Sequence, residues 1–433
     1  MSVADGPLFV IDDDPTGAQG QAGVPILLAF SRRLIEAAVA GAPGAVHLLT
    51  NSRAMDEAGA YAVVRDAAES VSEVVTSPGI ILRGDSTLRA HLLPEYEALR
   101  DVLWPTVAPP LLLVPALPGA GRVTLDGRHL LAREGKRVPL EQTEFAADGP
   151  FSYSTSLLVD WAAERSGGFF RAEGGIEIGL ERIRSAQGSA AVRDALLAAA
   201  GKSAPVVVVP DAETAADLYV IASGLNEARA LAPAIAVRCA PTFASVLSGC
   251  EATDVVPTPS VERGLLVAVG SHVPMTTAQL TALNARYPGS LVELDASVLA
   301  GPGAAATVVD ASARARALLG QERLAIVATS RVVEDDALGP DAGLRVARGL
   351  ARIVSRLEGA YDVLLSKGGI TSAVNVREGL GADRADIVGP VTAGISLWNV
   401  HAGNGLEQPV IVFPGNVGGT HELADLVHRL IGE

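Results

Sequence analysis

Residues 79–89 read Gly79-Ile80-Ile81-Leu82-Arg83-Gly84-Asp85-Ser86-Thr87-Leu88-Arg89. A short apolar run that ends in an acid, two hydroxyls and two arginines reads as a buried strand delivering polar groups to its carboxyl end. That is where open α/β sheets bind ligands. Arginine is shaped to hold a carboxylate or phosphate through two parallel hydrogen bonds. Asp85 can accept a proton from a neighbouring hydroxyl, or orient it. The stretch points to a site for a small, acidic, hydroxylated molecule. A strand end closed by a solvated salt-bridge cluster would share this pattern.

On both sides of this stretch, short apolar runs alternate with helical patterns. Strands are expected at 8–11, 46–49, 80–82, 111–114 and 206–209, and helices over 56–75 and 91–103. Residues 115–149 break the rhythm with scattered Gly, Pro and charge. They include Gly119-Ala120-Gly121-Arg122-Val123-Thr124 and Gly127-Arg128-His129, and read as long loops or a small insertion over the sheet. A boundary is expected at 251–264, where Pro257 and Pro259 sit among Thr, Ser, Asp and Glu. Beyond it, strands are expected at 265–269, 292–294, 324–328, 363–365 and 410–413, and helices at 278–286, 342–357 and 420–430. The expected class is α/β: two α/β domains with mainly parallel sheets and a cleft between them, over 1–250 and 265–433.

Composition supports that division. A chain of 433 residues exceeds one ordinary core, and 49% apolar against 19% charged residues suffices to bury two. Aromatics are only 4%; an Ala, Val and Leu mass suits helices packed on buried parallel strands. The net charge of −15 argues against nucleic acid or an anionic membrane surface as partner. Cys239 and Cys250, the only cysteines, match no zinc or redox spacing. The first residues lack the pattern of a signal peptide, and no apolar run reaches membrane-spanning length. A soluble, cytoplasmic protein is expected, and the lightly charged composition is compatible with a homodimer.

Two further groups of residues carry chemistry. The run Phe9-Val10-Ile11 leads into Asp12-Asp13-Asp14-Pro15-Thr16-Gly17-Ala18. Three adjacent carboxylates repel one another, so they are expected at a surface or a site rather than in a core. At a strand's carboxyl end they can hold a metal, accept substrate hydroxyls or act as base. Asp12-x-Asp14-x-Thr16, with residues 46–51 as a second motif, also reads as a haloacid-dehalogenase-type phosphatase, with Asp12 as nucleophile and Asp14 as acid/base. In the second half, Gly270-Ser271, Ser366-Lys367-Gly368-Gly369-Ile370-Thr371-Ser372 and Pro414-Gly415-Asn416-Val417-Gly418-Gly419 each follow an expected strand. Such turns let backbone N–H groups approach phosphate oxygens, and Lys367 can add a charge. Three of them point to a nucleotide. Gly201-Lys202-Ser203 ends like a P-loop, but Leu196 occupies the first-glycine position, so that motif fails.

Together these segments resemble the four-carbon acid sugar kinase family over nearly the whole chain. Asp13-Asp14-Pro15-Thr16-Gly17-Ala18 is similar to the family's D-D-L-T-G-A, with Pro15 for Leu. Residues 83–90 resemble K-x-D-S-T-L-R-G, with Arg83 for Lys and Ala90 for Gly, and Asn51-Ser52-Arg53 resembles the family's S-R pair. Gly270, Ser271, Thr276 and Gln279 match G-S-C-S-x-x-T-x-x-Q, with His272 and Val273 in its middle. Gly368-Gly369-Ile370-Thr371 and Gly415-Asn416-Val417-Gly418 match the family's G-G-x-T and G-x-x-G turns.

The resemblance implies a sugar-acid-binding N-terminal domain, a nucleotide-binding C-terminal domain, and ATP with Mg2+. It implies phosphorylation of the terminal hydroxyl of a tetronate such as threonate, erythronate or a 3-oxo-tetronate. Substrate would then meet Asp13, Asp14, Arg53, Arg83, Asp85, Ser86 and Arg89, with Arg53 and Arg89 on its carboxylate. Asp85 or Asp13 would be the catalytic base. Ser271, Gly368, Gly369, Ile370, Thr371, Gly415 and Gly418 would hold ATP; no metal ligand is assigned. A non-catalytic sugar-acid or nucleotide sensor is the remaining alternative.

Overall fold

The computed structural model describes residues 6–432 except 19, 42, 134, 253 and 331–341. The chain divides into two compact units: Met1–Gly17 with Phe30–Glu251, and Ala18–Ala29 with Ala252–Glu433. The first unit opens with β1 (Leu8–Asp12), after which β2 (Val24–Leu27) departs into the second. This corrects the uninterrupted 1–250 domain: β2 pairs antiparallel with a strand made of residues 384–392, which draws the segment across.

The first unit continues with β3 (Ala45–Leu49), β4 (Ile80–Arg83) and β5 (Leu111–Val114). Next come β6 (Arg122–Leu125), β7 (Arg128–Arg133), β8 (Lys136–Pro139), β9 (Ile176–Ile178), β10 (Val207–Pro210) and β11 (Ala236–Cys239). Seven of these form a wholly parallel sheet in the order β3-β1-β4-β11-β5-β10-β9. Its strands are short continuous apolar runs because helices cover both faces. The helix Glu57–Ser72 starts on Asp56, whose side chain accepts from the Gly59 amide, and buries Ala60, Val64, Ala67 and Val71. Of the two readings for 115–149, long loops or a small insertion, the structure has the second: a three-stranded antiparallel sheet, β6-β7-β8. Its first turn is Asp126-Gly127 with both φ positive, 50° and 69°, the backbone that a two-residue hairpin requires.

The second unit holds β12 (Leu265–Val269), β13 (Leu291–Leu294), β14 (Leu324–Thr329), β15 (Val363–Lys367), β16 (Arg384–Thr392), β17 (Ile395–His401) and β18 (Glu407–Phe413). Strands β13-β14-β12-β15-β18 are parallel, and β17, β16 and β2 extend the sheet antiparallel. The helices Pro274–Arg286 and Glu422–Ile431 bury Leu283, Leu423, Leu426 and Val427 against Val267, Val269, Leu365 and Phe413. Among the described residues no helix is long and apolar enough to cross a membrane.

Candidate active site

In the first unit four neighbouring strands end together. Asp12 pairs with Leu49 on one side and Arg83 on the other, and Arg83 with Cys239. Asp12, Asp13 and Asp14 leave the end of β1 and are buried, at 2%, 2% and 6% exposure. This corrects the expectation that three adjacent carboxylates avoid a core. They are compensated by arginines: Arg83 Nη1 donates to Asp12 Oδ1 (2.7 Å), Asp13 Oδ1 (3.2 Å) and the Asp14 carbonyl (3.1 Å). Arg53 donates to Asp14, and its Nη1 lies 3.6 Å from Asp85.

Asp12 has both oxygens engaged, the second by His47 Nδ1 at 3.1 Å. A side chain at Gly17 would overlap its carboxylate. Both Asp12 oxygens are thus taken up within the cluster, which lends the phosphatase alternative no support.

Asp13 differs. Its Oδ2 is buried without a hydrogen-bond partner, and Arg238 Nη2, equally unpartnered, stands 3.8 Å away. Glu95 accepts from the other arm of Arg238, and Ser52 Oγ donates to Glu95 Oε1 at 2.6 Å. The guanidinium occupies space that a side chain at Gly84 would fill. Burial pushes the Asp13 carboxyl up to about 7, against the pull of Arg53, Arg83 and Arg238. Asp85 goes the other way. Burial opposes its charge, but Arg89, Arg53 and Thr87 hold it well below the usual carboxylate range.

The turn after β4 is tied down along its length. Asp85 accepts from the Thr87 amide (3.1 Å), the Thr87 hydroxyl and Arg89 Nε (2.6 Å), while Arg89 Nη1 donates to Asp148 (2.9 Å). Leu88 sits at φ 69°, a conformation that these bonds must hold against steric cost. His129 Nε2 lies 2.9 Å from the Ser86 carbonyl, and Tyr153 donates to the Thr87 carbonyl at 3.0 Å. Burial lowers His129 to about 4. The ring is therefore neutral at pH 7: Nε2–H donates to Ser86, and Nδ1 accepts from Thr124 Oγ1 at 3.0 Å.

In the second unit the three glycine turns end adjacent parallel strands, with Val269 opposite Lys367 and Lys367 opposite Phe413. The chain runs from β12 to one side of the sheet and returns to β15 on the other, so Gly270 and Gly368 stand at a topological switch point. Gly368 has φ 118°, a value that disfavours any side chain. Side chains at Gly270 and Gly415 would collide with Thr371 and Ser271. Thr276 Oγ1 bonds the Gly415 carbonyl (3.0 Å) and meets Ser271 Oγ (3.2 Å), and Gln279 Nε2 donates to the Val417 and Gly419 carbonyls (both 2.9 Å). Lys367 is fully buried rather than presented as a charge for phosphate. Its Nζ donates to the Pro414 and Gly415 carbonyls over the Phe413 ring.

Asp13, Asp14, Arg53, Arg83, Asp85, Ser86 and Arg89 are thus gathered in the first unit. Ser271, Gly368, Gly369, Thr371, Gly415 and Gly418 lie on the glycine turns of the second, with Ile370 40% exposed beside them. Arg238 and Glu95 escaped sequence reasoning, while His47 entered only through the phosphatase motif and Arg122 only as part of the 115–149 segment. The only signal for Arg238 was an arginine inside the apolar run Ala236-Val237-Arg238-Cys239.

Residues 8–247 match the family model described as a sugar-binding N-terminal domain, and residues 266–423 that of a nucleotide-binding C-terminal domain. A D-erythronate kinase of Heliobacterium modesticaldum is 30% identical over 417 residues, 89% of this chain and 87% of that protein. A D-threonate kinase of Salmonella typhimurium is 26% identical over 332 residues, 76% of this chain and 73% of that one. A solved Salmonella typhimurium protein, described as a putative tRNA synthase, superposes with a TM-score of 0.71 at 17% identity, covering 96% of this chain and 97% of its own. A Haemophilus influenzae structure does so at 0.63 and 17%, covering 96% and 99%. These two show a shared fold.

Proposed function

The chain belongs to the four-carbon acid sugar kinase family, and from that membership we propose that it transfers the γ-phosphoryl group of ATP to the terminal hydroxyl of a four-carbon sugar acid. The product is the 4-phosphate of a threonate, an erythronate or a 3-oxo-tetronate. Neither a phosphatase nor a non-catalytic sensor finds support among the kinases that resemble this chain.

The observation that carries the mechanism is the difference between Asp13 and Asp85. A base works best when its pKa lies near the working pH. Asp13, pushed up to about 7 and with Oδ2 unpartnered, meets that condition. Asp85, bound by Arg89, Arg53 and Thr87, does not. Asp13 Oδ2 takes the hydroxyl proton as the oxygen bonds to the γ-phosphorus and the bond to the departing ADP breaks. Arg238 Nη2 can donate to the same oxygen and stabilise its growing charge. Asp85 keeps the arginines and the 83–89 turn in place, and Asp14 holds Arg53.

The glycine turns suit ATP, because the missing side chains at Gly270 and Gly415 let Thr371 and Ser271 pack directly against the backbone at the ends of adjacent strands. Ser271, Gly369, Thr371, Gly415 and Gly418 would supply backbone or hydroxyl donors, with Gly368, whose amide already donates to the Phe413 carbonyl, shaping the turn, while exposed Ile370 offers an apolar edge. Phosphoryl transfer runs mainly on positioning and charge neutralisation, the latter shared with Mg2+ on the phosphates. Among the described residues no group of three or more His, Cys, Asp or Glu side chains is arranged to hold a metal.

The test is ADP release with ATP and Mg2+ across D- and L-threonate, D- and L-erythronate and their 3-oxo forms. One member is expected to give substrate-dependent ADP and a 4-phosphorylated product. ATP binding without turnover of any member would remove the kinase reading in favour of a sensor.

A further inference from the structure

The stretch Gly119-Ala120-Gly121-Arg122-Val123-Thr124 has no role in the reaction as described so far. Its arginine opens β6, in the small sheet that the sequence did not reveal. Five arginines surround the first unit's site, and four are committed to carboxylates. Arg83 faces Asp12 and Asp13, Arg53 faces Asp14 and Asp85, Arg89 faces Asp85 and Asp148, and Arg238 faces Glu95 and Asp13. Among the described residues Arg122 forms no ion pair. Its Nη1 donates to Ser86 Oγ at 3.1 Å, and its Nε is buried without a partner.

The surroundings make this an anion position. The guanidiniums of Arg122 and Arg89 lie 5.9 and 5.5 Å from the centre of the same Phe145 ring. Two cations held against one ring repel each other unless an anion joins them. Burial pulls Arg122 below its ordinary value, Asp85 opposes this and Arg89 adds to it; an added negative charge would favour the cation further. Ser86 accepts from Arg122, which leaves its own hydrogen to donate. Both groups are fixed in place: the Ser86 carbonyl is held by His129 of β7, and His129 by Thr124 of β6.

We propose that Arg122, with the Ser86 hydroxyl, receives the carboxylate of the sugar acid. Arg53, expected in that role from the sequence, is occupied by Asp14 and Asp85. The proposal rests on the kinase reading and adds the group that recognises the acid end of its substrate.

The experiment measures binding without ATP, so that it does not depend on turnover. Calorimetry would compare wild type, Arg122→Met and Arg122→Lys, using the best-bound tetronate and its carboxamide, which keeps the hydroxyls and loses the charge. Arg122→Met is expected to weaken binding of the acid by about 10- to 100-fold and to leave carboxamide binding within about threefold. Arg122→Lys should recover part of the loss. ATP affinity and the melting temperature report folding, and Ser86→Ala, which keeps every charge, gives a smaller loss of acid selectivity if Arg122→Met fails to fold. Equal losses for acid and carboxamide, or none for either, would overturn the proposal. Acid that binds through Arg122 but is never phosphorylated would sink the kinase reading alone. Failure of every tetronate to bind wild type would sink both.

Discussion

Asp13 and Asp85 leave neighbouring strands within one cluster of arginines, yet their surroundings push them in opposite directions. For Asp13, desolvation outweighs the arginines; for Asp85, direct bonds to Arg89 and Thr87 outweigh desolvation. Asp13→Asn keeps the shape and removes the base, so kcat should fall by about two to four orders of magnitude with little change in KM. In wild type the rate should rise with pH through about 7, because only the carboxylate accepts a proton. Asp85→Asn should keep that limb of the profile and raise the sugar-acid KM instead, by loosening Arg89. Stability follows with its own sign. An acid whose folded pKa is raised contributes stability below its unfolded pKa, near 4, and loses it as pH rises through the folded value near 7. Asp13→Asn should therefore melt higher than wild type at pH 8 and show little gain at pH 4. A denaturation series at the two pH values, beside the rate profile, separates a catalytic Asp13 from a merely structural one.

At the scale of the element, the glycine turns depend on what lies beneath them. Lys367 ends β15 and ties its ammonium to two carbonyls of the turn after β18, joining two of the three turns from below. Lys367→Met preserves bulk but leaves those carbonyls unpaired, at a cost of about 1–3 kcal/mol. The expected result is a lower melting temperature and an ATP KM raised about tenfold, with the sugar-acid KM unchanged. A rise in the sugar-acid KM alone would contradict it. The parallel strands that carry these turns could be read from the sequence as short apolar runs between helical patterns. The antiparallel elements could not. In β16 burial alternates at Ala385, Ile387, Gly389 and Val391, but exposed Val388 and the adjacent Gly389 and Pro390 mask that alternation in the sequence. In β6 and β7 the Asp126-Gly127 turn was a usable hairpin signal, but the flanking charges made the segment look like loop. The ion pairs of Arg238 join residues far apart in sequence, so its acid partners, and the lack of one for Arg122 among the described residues, could be seen only in the structure.

At the scale of the whole molecule, the chain is not two beads in sequence. Residues Ala18–Ala29 leave the first unit between the Asp12-Asp13-Asp14 cluster and the helix Arg32–Val39 and join the second. There β2 matches Val24 to Ile387, Pro25 to Asp386, Ile26 to Ala385 and Leu27 to Arg384, and Gly23 N donates to the Ile387 carbonyl at 2.8 Å. A local composition shift marks the boundary near residue 251, but a four-residue strand contributed to the other unit leaves no such mark. The consequence concerns how the unit can be cut. A fragment of residues 252–433 loses this partner and exposes the hydrogen-bonding edge of β16, a template for pairing with other chains. It should aggregate at moderate concentration and melt below the same fragment with residues 18–29 joined to its N-terminus through a flexible linker. Replacing Ile26 by Pro in the joined segment removes the amide opposite Ala385 and should abolish the gain. Equal solubility and melting of the two fragments would mean that β2 adds nothing to the second unit, and that the cut the sequence suggested is the physical one.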